Sequence, residues 1–107
     1  MNAHLRRAKP LMFQAGGLLT KMNIAAIPID RLLHLHASDW LADTKDLRLD
    51  RGMPGDGLID NRRIRTWMEE TGFSGVVEVE IFSKENWWKR DCDDVVKTII
   101  ARKDENL

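Results

Sequence analysis

From Leu32 onward the chain twice sets a short apolar or β-branched run ahead of an amphipathic helical stretch, and this alternation constrains its fold more than any other feature. Leu32-Leu33-His34-Leu35-His36-Ala37 reads as a short buried strand with two polar intrusions. A polar stretch from Ser38 to Gly57 follows. Asp60 then stands where an N-cap belongs, and Ile64, Trp67 and Met68 share one helical face. Gly72 is placed to stop that helix. Val76-Val77-Glu78-Val79-Glu80-Ile81-Phe82 alternates as a second strand. Asp91, Asp93 and Asp94 open a last helix with apolar residues Val95, Val96, Ile99 and Ile100, and Arg102 and Lys103 lie near its end. The order strand, helix, strand, helix implies an α/β fold with parallel strands joined by right-handed crossovers.

With 107 residues, the chain can build a small α/β domain but not a large closed architecture. Residues 1–31 are poorly determined: Pro10, Gly16 and Gly17 interrupt them, leaving weak helical patches at Ala3–Lys9 and Leu18–Met22. Residues 32–107 carry the strong signals. The helix-to-strand connection Gly72-Phe73-Ser74-Gly75 is tight, whereas the strand-to-helix connections are long. Long connections in compact domains concentrate function, so chemistry is sought at the strand ends and in residues 38–58 and 83–90.

Charge and cysteine content remove several classes. Seventeen Lys and Arg balance seventeen Asp and Glu, leaving no surplus with which to grip nucleic acid. Cys92 is the single cysteine, so no internal disulfide forms and a reducing, cytoplasmic setting is the expectation. No window approaches the roughly 20 apolar residues of a membrane span. Pro10 and Gln14-Ala15-Gly16-Gly17 interrupt the apolar run a secretory leader needs.

His34 and His36 lie two apart in the first strand and therefore share a face, as do Glu78 and Glu80 in the second. Ionisable groups on strands covered on both sides are costly unless they bind something or one another; the alternative is a polar face open to water. Imidazole and carboxylate on adjacent strands suit a divalent metal, Mn²⁺, Mg²⁺, Co²⁺ or Zn²⁺, without choosing among them. Arg51 lies in the Gly- and Pro-rich stretch Asp50-Arg51-Gly52-Met53-Pro54-Gly55-Asp56-Gly57, where it either meets a phosphate or carboxylate or decorates a turn-rich loop. Trp87 and Trp88 either wall a sugar site or anchor packing, with packing favoured for at least one of them. Asp39 and Trp40 are open to the same two readings. Cys92 has no redox motif around it and reads as structural.

The succession His34-Leu35-His36-Ala37-Ser38-Asp39-Trp40, Asp50 to Gly57, Gly72-Phe73-Ser74-Gly75 and Val77-Glu78-Val79-Glu80-Ile81-Phe82 resembles the C-terminal end of the sugar phosphate isomerase/epimerase family. That family has the xylose isomerase-like TIM barrel fold, and the resemblance runs from about Leu32 to about Arg102. It implies the last two strand–helix units of a (β/α)₈ barrel and a metal-dependent enzyme that moves a proton at the carbon next to a carbonyl. By the same resemblance His36 matches the metal ligand on the seventh strand. Glu80 matches the last Glu, on the eighth strand, which serves both as metal ligand and as acid and base. His34, Arg51, Trp87 and Trp88 become candidates for contact with a small sugar or sugar phosphate.

A complete barrel has eight strands and about 250 residues. The chain therefore reads as a truncated product, or as a piece needing a companion chain or homo-oligomer, with half of the metal site missing and no activity alone. The endonuclease IV type of nuclease shares the barrel, but its Asp-Arg-His triplet is replaced here by Asp50-Arg51-Gly52. A non-catalytic α/β binding or assembly module is the reading from another class.

Overall fold

The computed structural model describes residues 2–5, 11–12 and 21–107. In chain order the elements are β1 (Asn2–Leu5), β2 (Leu11–Met12), α1 (Lys21–Ala25), β3 (Leu32–Ala37), β4 (Asp39–Trp40), β5 (Arg51–Gly52), α2 (Asn61–Glu70), β6 (Val76–Val79) and α3 (Cys92–Asn106). Single 3₁₀ turns occur at Ile29–Arg31 and Trp87–Lys89.

The expected strand–helix–strand–helix order is present, and β3 pairs with β6 in parallel, with His36 in register with Glu78. The sheet order is β2-β1-β3-β6. On its other side β3 pairs antiparallel with β1, where His4 stands in register with His34. The helical patch read at Ala3–Lys9 is thus corrected over residues 3–5, which belong to strand β1; residues 6–9 lie outside the described residues. An available strand edge outweighs a weak local preference. Of the patch at Leu18–Met22, residues 18–20 lie outside the described residues, and α1 begins at Lys21.

Alternation along β3 divides its side chains between two environments. Leu35 and Ala37 are fully shielded and join Ile24, Leu32, Ile64, Met68 and Phe73 in the core. His34 and His36 take the opposite face. α2 is started by the Asp60 carboxylate, which accepts from the Arg63 amide at 3.0 Å. Gly72, at φ +93°, ends the helical segment as only a residue without Cβ does easily.

α3 is capped by Asp91, whose side chain accepts from the amides of Asp93 and Asp94. Its apolar residues do not form a buried face: Val96 is 54% and Ile100 60% exposed, and the helix buries no residue. Polar ties position it instead. Arg102 donates to the Pro54 carbonyl and pairs with Asp56, while Arg62 and Arg65 of α2 donate to the carbonyls of Asp104 and Leu107.

The long stretch after β3 has an architecture of its own. β4 and β5 pair antiparallel, and Asp50 bridges to Ser83. The Arg51 amide donates to Phe82 O and the Lys84 amide to Leu49 O, each at 2.9 Å. The two strand-to-helix connections are thereby joined to each other.

Candidate functional site

The site grows from the polar face of the parallel pair. Glu78 is placed opposite His36 by strand register, and the Glu80 amide extends that register by donating to Ala37 O at 2.9 Å. The His36 ring consequently lies between two carboxylates: Nε2 is 2.5 Å from Glu78 Oε2, and Nδ1 is 3.3 Å from Glu80 Oε1. The shorter approach is a close contact off the line of a ring hydrogen bond. His34 meets His36 edge-on, with ring centroids 5.3 Å apart, and its Nδ1 is 3.9 Å from the same Glu78 oxygen.

Arg51 enters from β5. Its Nη1 donates to Glu80 Oε2 at 2.8 Å, and its guanidinium lies 4.8 Å from the Phe82 ring centre. Phe82 in turn meets Trp88 edge to face at 5.7 Å, and the Trp88 indole N–H donates to Ile81 O. A continuous line of contacts therefore runs from exposed Trp88 through Phe82, Arg51 and Glu80 to His36.

Depth on this face increases toward the loop end of the strands. The Arg51 and His36 side chains are only 10% and 14% exposed, whereas those of His34 and Glu78 are 39% and 49% exposed. The β5 loop shelters the far end of the strands, so the inner pair is His36 and Arg51.

Trp87 is separated from its neighbour by packing. It is buried, its indole N–H donates to Asp56 Oδ2 at 2.9 Å, and Arg90 stacks 3.9 Å from its ring centre. It anchors the loop, while Trp88 remains exposed. Cys92 is exposed at the start of α3.

Asp39 is the residue whose full role sequence reasoning did not see. Its carboxylate is buried and accepts four backbone amides: Trp40 and Ile59 on Oδ1, and Gly55 and Gly57 on Oδ2, all at 2.8–3.0 Å. A carboxylate with this many donors fixes the path of residues 55–59. Gly57 makes that path possible, since a Cβ there would fall 2.1 Å from Trp40 O. The signal available in sequence was the pairing of an acidic residue after the first strand with a glycine-rich run downstream. At Gly52 a Cβ would lie 2.9 Å from side-chain atoms of both Asp56 and Leu41, so a His there would force these neighbours to shift.

The donor set suits a divalent ion. Ligand atoms of His34, His36 and Glu78 all lie within 4.8 Å of one another, and imidazole nitrogen with carboxylate oxygen is the chemistry that first-row dications take. No helix among the described residues is long and apolar enough to cross a membrane.

Comparison with known proteins places these features in a family. The crystal structure of protein SMc04130 from Sinorhizobium meliloti 1021 is similar, with TM-score 0.66 and 51% sequence identity, over 67% of this chain and 26% of that one. The chain thus spans about a quarter of that protein's length. No curated protein matches it. The family model described as xylose isomerase-like TIM barrel matches residues 11–98, taking in both strands of the site, the Asp39-bound loop and the intervening helix. The parallel strand–helix units and the polar face they present are therefore part of a barrel architecture, and the chain belongs to the xylose isomerase-like TIM barrel family.

Proposed function

We propose that the chain supplies part of the active centre of a divalent-metal-dependent sugar or sugar phosphate isomerase or epimerase. The observation that carries this reading is the His36 ring set between the Glu78 and Glu80 carboxylates, next to Arg51. His36 and a glutamate would hold the ion, which would supply Lewis-acid polarisation of the substrate carbonyl and so ease proton loss at the neighbouring carbon.

Glu80 is the proton-transfer group in this scheme. Arg51 fixes one of its oxygens, so the direction of the other is set before substrate arrives. Arg51 also offers a cation to a substrate phosphate, and a guanidinium can serve both groups because it presents several donors in a fork. In this reading His34 and Trp88 are the side chains that flank the sugar. Buried Trp87 supports the loop from behind.

Solvent-deuterium exchange at the carbon next to a ketose carbonyl tests the proposal, with the barrel completed by the remaining strands of the Sinorhizobium meliloti protein. Exchange is expected with Mn²⁺ or Co²⁺, is abolished by His36→Ala or Glu80→Gln, and is absent from the 107-residue chain alone. A completed, folded barrel inert toward ketoses and ketose phosphates contradicts it.

One observation favours a second reading, a non-catalytic α/β module. In a (β/α)₈ barrel every neighbouring strand is parallel, whereas β3 is bordered by antiparallel β1. A companion completing the barrel would have to displace β1 from that edge.

A further inference from the structure

We infer that, in the chain as folded, a borderline-soft dication such as Zn²⁺ or Co²⁺ is held by His34, His36 and Glu78. This ligand set differs from the His36–Glu80 pair that the family resemblance implies. The inference rests on the reading of this face as metal-bearing and specifies which side chains bear the metal and which metals they select.

Geometry brings the three together without rearranging the fold. The period of a strand puts both imidazoles on one face, and parallel register puts Glu78 beside them. Two donors each about 2.0–2.2 Å from one ion lie roughly 3–4 Å apart. The Glu78 carboxylate is 2.5 Å from His36 and 3.9 Å from His34, so the required adjustments are side-chain rotations. His34 and Glu78 are half-exposed, on the solvent side of the group.

Glu80 is engaged elsewhere. Its Oε2 is held by Arg51, whose side chain is largely buried, and a dication bound to Glu80 would sit against that guanidinium. Like charges at such a distance repel strongly where water is partly excluded. Freeing Glu80 would also leave the Arg51 charge without its carboxylate. Two nitrogens and one oxygen favour Zn²⁺ or Co²⁺ over Mg²⁺, which prefers oxygen ligands and keeps its waters. Three protein ligands leave an open position for water.

Titration of the full chain with Co²⁺, followed by its visible absorption and by Zn²⁺ competition, tests the assignment. His34→Ala and Glu78→Gln are each expected to weaken binding by more than about 100-fold, beyond the loss that removal of an outer partner alone gives. Glu80→Gln is expected to leave binding intact, and excess Mg²⁺ not to compete. In the unaltered protein, Zn²⁺ should shift the imidazole resonances of His34 and His36 together, a reading that needs no variant to fold. Loss of binding in Glu80→Gln with retention in His34→Ala overturns this inference but leaves the proposed function standing. Absence of any binding by the unaltered chain overturns the inference and removes support from the metal-dependent reading as well.

Discussion

Arg51 Nη1 and Glu80 Oε2 meet at 2.8 Å, joining β5 of the first long connection to the residue that follows β6. This pair ties two segments that are distant in sequence, and it decides how the polar face is organised. A charge-assisted hydrogen bond of this kind is worth about 1.5–3 kcal/mol.

A double-mutant cycle on Arg51→Met and Glu80→Gln should therefore give a coupling of about 1–3 kcal/mol in urea unfolding. Glu80→Ala should cost more than Arg51→Met, because it strands a mostly buried cation. Additive single changes would show that the pair contributes no coupling.

Removing the Asp39 carboxylate leaves four backbone amides to find other acceptors in a buried place. Asp39→Ala is expected to destabilise by on the order of 3 kcal/mol and to raise amide exchange at Gly55, Gly57 and Ile59. Unchanged protection at those three positions would contradict the role assigned to Asp39.

Two glycines should respond differently to the same substitution. At Gly72 nothing lies within 4 Å of a new Cβ, and only the positive φ is strained, so Gly72→Ala should cost about 1–2 kcal/mol. At Gly57 the Cβ would collide with backbone, and Gly57→Ala should cost more. Melting temperatures of the two variants in the opposite order would refute the comparison.

The adjacent tryptophans offer a similar contrast. Trp87→Ala is expected to cost about 3–5 kcal/mol by emptying a buried site, and Trp88→Ala well below that. Equal losses on thermal unfolding would place both indoles in the packing.

Asp46 gives the loop after β4 a dependence on acid. The amides of Arg48 and Leu49 donate to its carboxylate and hold its pKa below the ordinary 3.8. Folding thus favours the ionised form, and the stabilisation is complete above that ordinary value. It is lost as pH falls through the lowered native value. Carboxyl titration by NMR should show the displacement in the native protein and its absence in urea.

Local signals marked the frame of this molecule. Asp60 and Gly72 bracket α2 through caps that depend on neighbouring residues alone, and alternation in Leu32–Ala37 and Val76–Val79 separated an apolar face from one bearing His34, His36 and Glu78. The polar loop was legible as a place of interest through its glycines. Tertiary structure decided the rest.

Residues 2–5 became a strand because β3 offered an edge, and α3, held by polar ties to Pro54, Asp56 and α2, left Val96 and Ile100 exposed. Strand register, which no spacing within one strand reveals, brought Glu78 rather than Glu80 opposite His36. The approach of β5 then gave Glu80 to Arg51. Alternation assigns a side chain to a face, but its partner on that face depends on contacts between segments far apart in the chain.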